Sequence, residues 1–258
     1  MPPVREETRT ETISRLRPFV KRAKRFSGWD FADLGVRSLG KEPPWDYERR
    51  ARELSREAPA VLDMGTGGGE VFSRILRGSR GRAVATEEWA VNAPIAAGRL
   101  ALQGASVVRG KSRRSPFRDG AFGLVLNRHE ELDPAEVARV LAPGGRVLTQ
   151  QVGRDNWREL RAYFPRMADF GPLFEEYRAG FEAAGLRSIR AATHETRVVY
   201  PGLGEVVFML CVAPWEIPGF SPLERDLDAL VTLERELEGP DGLTLTESRF
   251  ILEAQRPE

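Results

Sequence analysis

Short apolar runs alternate with amphipathic stretches between residues 60 and 151. The apolar runs predict five strands, and the stretches between them predict helices. The strands are expected at Ala60–Met64, Ala83–Thr86, Ser106–Val108, Leu124–Asn127 and Val147–Gln151. The helices are expected at Val71–Leu76, Ala90–Leu102 and Pro134–Leu141. Because strands that alternate with helices are typical of βαβ units, the pattern predicts a parallel sheet.

The pattern changes in the second half of the chain. Leu173–Ala184 predicts a helix that ends at Gly185, and Arg187–Tyr200 predicts a long strand. A last strand is expected at Leu243–Glu253. Two closing strands after five βα units predict an α/β fold with a seven-stranded sheet. The segment between these two strands, about residues 201–242, is an insertion with an amphipathic helix expected at Pro222–Glu238.

Residues 1–44 differ from the rest and predict a basic, helical N-terminal extension, so residues 45–258 form the predicted main domain. Apolar residues recur near helical spacing between Ile13 and Phe26, but Pro18 is expected to break or kink any single helix there. Tyr47–Glu57 predicts a helix rich in arginine and glutamate. Aromatic residues flank the main domain and have two interpretations, a lid over the substrate or ordinary packing. They are Trp29, Phe31, Trp45, Tyr47, Trp215 and Phe220.

Composition excludes several classes of protein. The 258 residues are 41% hydrophobic and 30% charged, which is typical of a globular chain. Cys211 is the single cysteine, so no disulfide within the chain and no cysteine-based zinc cluster is possible, and we expect no metal site. The charged N-terminus has no apolar core and no apolar stretch is long enough to span a bilayer. We therefore expect a cytoplasmic protein without a membrane partner.

A glycine-rich turn follows the first predicted strand. Asp63 and Met64 end this strand, and Gly65-Thr66-Gly67-Gly68-Gly69 comes next. Such a turn lets a ligand approach the backbone closely and directs N–H groups at it. A dinucleotide fingerprint needs its third glycine at position 70, where this chain has Glu70. A glutamate would repel a pyrophosphate, but Asp63 and Glu70 do not conflict with a cationic sulfonium cofactor.

The second predicted strand ends in an acid, Glu87, roughly 20 residues after the glycines. An acid at this position can accept hydrogen bonds from ribose hydroxyls in either class of cofactor. The alternative interpretation is that Glu87 is a solvated side chain. Trp89 is interpreted either as a partner for an adenine ring or as a core residue.

Three stretches in the same order resemble the class I S-adenosylmethionine-dependent methyltransferases, the Rossmann-like bacterial type with a compact domain. They are Val61–Glu70, Ser115–Phe122 and Ala138–Leu148. The resemblance implies a three-layer sandwich with a mostly parallel sheet whose last strand is antiparallel. It also implies S-adenosyl-L-methionine as cofactor and S-adenosyl-L-homocysteine as product. The expected cofactor-binding residues are Asp63, Gly65, Thr66, Gly67, Gly69, Glu87, Glu88, Ser112 and Asn127.

The chain departs from the family pattern at two positions. Lys111 stands where an acid near the adenine amino group is expected, so adenine recognition would depend on backbone groups and Ser112. Gly123 stands where the family commonly has an acid that opens the fourth strand.

His129 follows the fourth strand and is the candidate general base, because imidazole titrates near neutral pH. The alternative is a histidine that holds the loop, since methyl transfer can proceed through alignment and desolvation alone. Glu130 and Glu131 are interpreted as acids of the site or as solvated residues, and Asn127 as a contact for the amino-acid end of the cofactor.

The methyl acceptor is expected to be an O or N nucleophile of a small molecule. The first alternative is an RNA or protein methyltransferase that uses the basic N-terminal segment, and the second is a cofactor-binding protein without turnover. The pattern indicates no oligomeric state. A second basic cluster is either a solvated loop or a phosphate-binding edge. Its members are Arg109, Lys111, Arg113, Arg114 and Arg118.

Overall fold

A single sheet runs through the computed structural model, which describes residues 7–258. The strands of the described residues are β1 (Arg37–Ser38), β2 (Ala60–Met64), β3 (Arg82–Glu87), β4 (Ser106–Arg109), β5 (Phe122–Arg128), β6 (Leu141–Val152), β7 (Arg187–Tyr200), β8 (Glu238–Gly239) and β9 (Gly242–Gln255). The helices are α1 (Arg9–Ala23), α2 (Tyr47–Glu57), α3 (Glu70–Ile75), α4 (Asn92–Ala101), α5 (Pro134–Val140), α6 (Leu173–Ala183), α7 (Leu203–Val212) and α8 (Leu227–Leu237).

The strands lie in the order β4-β3-β2-β5-β6-β9-β7-β1, and β8 pairs with β9. Strands β2 to β6 pair in parallel, whereas β9 is antiparallel to both β6 and β7. The predicted α/β fold with an antiparallel last strand is therefore confirmed. The predicted seven strands are the seven long ones. The additional strands β1 and β8 have two residues each, too few to show a periodic pattern.

Helices cover both faces of the sheet, because side chains of a strand point alternately to its two faces. Val61 of β2 packs in a core with α2, α3 and α4. Leu62 and Met64 of the same strand pack in a second core with α5 and α6. This arrangement is the three-layer sandwich that the sequence predicted.

A third core lies beside the sheet and joins α1 to the predicted insertion. Leu16 of α1, Val207 of α7 and Leu230 of α8 are fully buried in it. Helix α7 was not predicted from the sequence, because Leu203–Val212 is apolar on almost every side and so shows no helical periodicity. Half-buried Cys211 lies at the edge of this core, and burial raises the pKa of its thiol to about 11.

Helix α1 continues through Pro18, so the expected break is wrong. Proline removes one backbone hydrogen bond, and other interactions offset this loss. Thr8 and Glu11 form a capping box at the start of the helix. Arg15 forms an ion pair with Glu234 of α8, with an N–O distance of 2.7 Å. Burial of apolar side chains against α7 adds to the stabilisation of the helix.

Two ion pairs fix the position of α2 above the sheet. Arg50 donates to both carboxylate oxygens of buried Glu253 on β9, at 2.9 and 2.7 Å. Glu48 accepts a hydrogen bond from Arg74 of α3 at 2.9 Å. A paired carboxylate at 2% side-chain exposure holds its partner firmly, because loss of either group leaves a buried charge.

Candidate functional site

The glycine turn connects β2 to α3 at the carboxyl edge of the sheet. Gly65, Gly67 and Gly69 have φ angles of 71°, 61° and 78°. These angles belong to the left-handed region, which residues with a β-carbon rarely adopt. The neighbouring strands β3 and β5 end beside β2, and Met64 lies next to both Thr86 and Asn127. A ligand at this edge can therefore reach the ends of all three strands.

Glu87 ties the end of β3 to the glycine turn. Its Oε2 accepts the backbone N–H of Gly67 at 2.7 Å, and its Oε1 accepts that of Trp89 at 2.8 Å. The backbone N–H of Thr66 donates to the carbonyl of Thr86 at 2.9 Å. Burial raises the pKa of Glu87, while the two backbone donors lower it. The carboxylate is held in one orientation beside the turn before any ligand arrives.

Two further carboxyl groups lie beside the turn. Asp63 is buried at the end of β2, and burial raises its pKa to about 7, against the opposing effects of the Thr66 hydroxyl and the charge of Arg128. Glu130 lies over Gly65, where a β-carbon would collide with its side chain. Burial and the nearby acids raise the pKa of Glu130 to about 7. The sequence analysis left the role of Glu130 open, and the structure brings it to the turn.

The other predicted cofactor residues differ in their burial and in their contacts. Ser112 is buried and its hydroxyl contacts Glu130, whereas Glu88 is exposed beside the turn. Asn127 is fully buried within the sheet, where its amide donates to the carbonyl of Met64 at 3.2 Å. Its amide oxygen accepts the hydroxyl of Thr149 at 2.8 Å. Asn127 therefore joins three strands and is bonded to Met64, the residue that directly precedes the turn.

His129 lies just beyond β5 with a φ of 58°. Its backbone N–H donates to the carbonyl of Gln150 at 2.9 Å, and its Nε2 lies 3.3 Å from Nε2 of the Gln150 side chain. The Oε1 of Gln150 accepts the indole N–H of Trp45 at 2.8 Å, so the amide nitrogen faces the histidine as a donor. The surrounding protein and the charges of Arg128 and Arg249 lower the pKa of His129 well below its usual value. The imidazole is therefore neutral near pH 7 and still solvent-accessible.

Three tryptophans from distant parts of the chain meet over the glycine turn. The ring of Trp29 lies directly over Gly67, where a β-carbon would collide with it. Trp29 and Trp215 have ring centroids 5.8 Å apart, and Trp89 lies 6.2 Å from Trp215. Trp89 is 49% exposed, so its interpretation as a core residue is wrong. We call Trp29, Trp89 and Trp215 the aromatic cap.

Both departures from the family pattern have a local structural explanation. Lys111 forms an exposed ion pair with Glu88, with an N–O distance of 3.3 Å. Gly123 lies beside Pro59, and a β-carbon on Gly123 would come within 3.0 Å of the proline Cδ. A larger side chain at position 123 would displace the loop that enters β2.

A cleft of about 770 Å³ opens beside His129. Residues 42–49, Arg52, Arg128 and Gln150 form its wall, and it holds three arginines, Arg49, Arg52 and Arg128. We call it the arginine cleft. The sequence analysis missed it, because arginines on α2 have the same pattern as solvated charges on any helix. Among the described residues no group of three or more histidine, cysteine or acidic side chains is arranged to hold a metal ion.

Comparison with known proteins identifies the family. The profile of a family described as a methyltransferase domain matches residues 62–149. A 23S rRNA (guanine(748)-N(1))-methyltransferase of Streptomyces fradiae is 30% identical in an alignment of 208 residues that covers 77% of this chain and 70% of that protein. The chain therefore belongs to the class I S-adenosylmethionine-dependent methyltransferases.

Solved structures with the same fold have little sequence identity to this chain. A functionally unknown protein from Deinococcus radiodurans R1 has a TM-score of 0.61 at 14% identity, and the match covers 86% of this chain and 92% of that one. A putative methyltransferase from Bacillus halodurans C-125 has a TM-score of 0.58 at 16% identity, over 82% and 99% of the two chains. These likenesses confirm the fold.

The residues around the turn fit S-adenosyl-L-methionine, the cofactor of this family. The cofactor has a positive sulfonium and an ammonium group, and Asp63, Glu87 and Glu130 supply carboxyl groups beside the turn. Glu70 folds back over Gly68 and pairs with Arg99 at 2.6 Å. A pyrophosphate would be repelled here, so the set does not fit a dinucleotide. The protein is a methyltransferase that uses S-adenosyl-L-methionine, and the alternative without turnover is set aside.

The described helices are each too short or too polar to cross a membrane.

Proposed function

We propose that this methyltransferase transfers the methyl group to a ring nitrogen of a nucleobase in RNA. The observation that carries the proposal is the 30% identity to a methyltransferase whose name gives N1 of a guanine in 23S rRNA as its target. The identity extends over 77% of the chain, and so beyond the residues that match the methyltransferase domain.

The glycine turn would hold the cofactor, which supplies an activated methyl group on its sulfonium. The backbone at Gly65, Gly67 and Gly69 would lie against it, and Glu87 would accept the ribose hydroxyls. Asp63 and Glu130 would face its positive charges. Thr66, Glu88 and Ser112 would complete the surroundings of the turn.

A protonated ring nitrogen needs a general base when it attacks the methyl group. His129 is neutral near pH 7, and its lowered pKa also makes it a weaker base. The lone pair of its Nε2 faces the amide N–H of Gln150. This contact would have to open so that Nε2 can take the proton from the ring nitrogen of the acceptor as that nitrogen receives the methyl group.

A small-molecule acceptor is the second candidate, and one observation favours it. Some of the basic residues of the N-terminal segment form ion pairs within the molecule. Arg9 pairs with Asp228, and Arg15 pairs with both Glu7 and Glu234. Arg5, which belonged to the same predicted segment, lies outside the described residues. Paired arginines contribute little to the attraction of RNA.

A methylation assay separates these two acceptors. The protein would be incubated with tritiated S-adenosyl-L-methionine and unmodified 23S rRNA, a protein-free small-molecule extract, or free guanosine. We expect label in the rRNA that ribonuclease digestion releases as a methylated guanosine, identified by mass spectrometry. Label in the small-molecule fraction together with unlabelled RNA would refute the proposal.

A further inference from the structure

The arginine cleft contains guanidinium groups that lack partners. The guanidinium group of Arg128 makes no hydrogen bond or ion pair with any residue in the range 7–258. The Nε of Arg52 is buried and has no hydrogen-bond partner in the described part of the chain. Other half-buried arginines are paired, as Arg50 is with Glu253 and Arg166 with Asp226. A buried donor without a partner is unfavourable unless a ligand supplies the acceptor.

Two of the acidic residues of the cleft already have partners. Glu48 accepts a hydrogen bond from Arg74 at 2.9 Å, outside the cleft. Asp46 caps α2, where its Oδ1 accepts the backbone N–H of Arg49 at 2.9 Å. Burial lowers the pKa of Arg128, and the charges of Arg249 and Arg74 add to this effect, whereas those of Tyr47 and Glu48 oppose it. An anion in the cleft would stabilise the charged guanidinium group.

The cleft adjoins the candidate catalytic group. Gln150 is part of its wall and contacts His129, and Trp45, also in the wall, donates to Gln150. Arg128 directly precedes His129 at the end of β5. A molecule whose anionic group is bound by the arginines can therefore reach His129 with its other end.

From these observations we infer that the arginine cleft is a binding subsite for a phosphate group of the methyl acceptor. Arginine forks bind the oxygens of phosphate through charge-assisted hydrogen bonds, and two or three of them can surround one phosphate. This inference deepens the proposed function and rests on it for the identity of the acceptor. A phosphodiester of RNA and the phosphate of a free nucleotide have the same chemistry here.

Calorimetry can measure binding to this subsite directly. The full chain, saturated with S-adenosyl-L-homocysteine, would be titrated with inorganic phosphate, guanosine 5′-monophosphate and guanosine. We expect the monophosphate to bind about tenfold or more tightly than guanosine. Arg128→Gln and Arg52→Gln should each remove most of this difference. Arg56→Gln is the matched control, because Arg56 is exposed on the same helix outside the cleft and should leave the difference unchanged.

Affinity for S-adenosyl-L-homocysteine distinguishes the cleft from a site for the cofactor carboxylate. If Arg128→Gln and Arg52→Gln weaken cofactor binding while phosphate binding stays equal, the inference is wrong. Equal affinity of the wild type for the monophosphate and for guanosine also overturns it. Thermal unfolding of each variant checks the fold, and Arg52→Lys, which keeps the charge, should retain part of the effect. Phosphate binding without RNA methylation would refute the proposed function alone and leave the subsite in place.

Measurements of RNA binding distinguish the two possible sources of the phosphate group. If the enzyme binds 23S rRNA with an affinity that falls steeply with salt, and Arg128→Gln reduces that slope, the phosphate belongs to a phosphodiester. If the monophosphate binds and RNA does not, it belongs to a free nucleotide. Loss of both in Arg128→Gln supports the subsite in either case.

Discussion

The glycine turn and the arginine cleft lie at the same edge of the sheet but present different charged groups. Asp63, Glu87 and Glu130 surround the turn. The wall of the cleft holds three arginines and three acidic residues, and two of these acids, Asp46 and Glu48, already have partners. The proposed reactants, a cationic methyl donor and an anionic acceptor, would therefore each meet a different set of charged groups.

The two regions also differ in how many of their polar groups already have hydrogen-bond partners. Glu87 already accepts two backbone N–H groups, so the turn has its hydrogen bonds before a cofactor binds. The guanidinium groups of Arg52 and Arg128 have no such partners in the described chain. A preorganised site loses little entropy on binding, whereas the cleft gains its missing hydrogen bonds from the ligand.

His129 lies between the two regions, and its replacement tests whether it acts as the general base in the transfer from one bound reactant to the other. We expect His129→Ala to lower kcat by about a hundredfold or more, because a general base contributes on the order of 10² to 10⁴. The dissociation constant of S-adenosyl-L-homocysteine should change little. His194→Ala is the control, since His194 lies on β7 and contacts the carbonyl of Lys41. Unchanged turnover in His129→Ala would show that alignment alone is sufficient.

Gly67 tests the turn side of the comparison. We expect Gly67→Ala to weaken binding of S-adenosyl-L-homocysteine by about tenfold to a hundredfold, because a β-carbon in the left-handed region is strained by about 1–2 kcal/mol and also meets Trp29. Isothermal titration calorimetry measures the loss. Gly104→Ala is the control, with a φ of 70° and open space around its β-carbon. Equal losses in both variants would indicate general destabilisation and would contradict a role for the turn.

The pH dependence of cofactor binding tests the charge of the turn. Asp63 and Glu130 have pKa values raised to about 7, so both are mostly protonated at pH 6 and mostly ionised at pH 8. Since only the ionised forms attract the sulfonium, affinity for S-adenosyl-L-methionine should fall as the pH drops from 8 to 6, by up to about tenfold. S-adenosyl-L-homocysteine lacks the sulfonium charge and should show a smaller change. Parallel curves for both ligands would contradict this electrostatic account.

Lys111 lies outside both regions and should have the smallest effect. Its ion pair with Glu88 joins two exposed side chains, and such pairs contribute about 0.2–1 kcal/mol. We expect Lys111→Ala to change the affinity for S-adenosyl-L-homocysteine by less than about fivefold. A larger loss, measured by the same calorimetry, would assign Lys111 a direct part in cofactor binding.

The sequence predicted those parts of the fold that depend on local periodicity. Strand Arg187–Tyr200 and helix Tyr47–Glu57 have the predicted bounds. Exposure alternates along much of the strand, and Tyr47, Ala51 and Leu54 bury one face of the helix. Helix α7 was missed because burial on all sides removes that alternation. The helix break expected at Pro18 is absent because tertiary packing and a capping box outweigh the local preference of one residue.

The site was predictable where one segment carries the signal. The glycines at positions 65, 67 and 69 and the acid at position 87 lie at fixed places relative to strands, and the structure brings them together. The arginine cleft combines α2 with the end of β5, which are far apart in the chain. Asn127 was expected to contact the amino-acid end of the cofactor, and the structure shows it buried between sheet neighbours on both sides.

Trp29 connects the glycine turn to a distant part of the molecule. Its ring lies on Gly67, and Phe26 stacks on Phe31 and meets Phe208 of α7. If the ring has to move aside for the cofactor, the apparent affinity is the intrinsic affinity multiplied by the fraction of molecules in which it has moved. Mutations in α7 would then change this fraction, and cofactor affinity would depend on the packing of the third core.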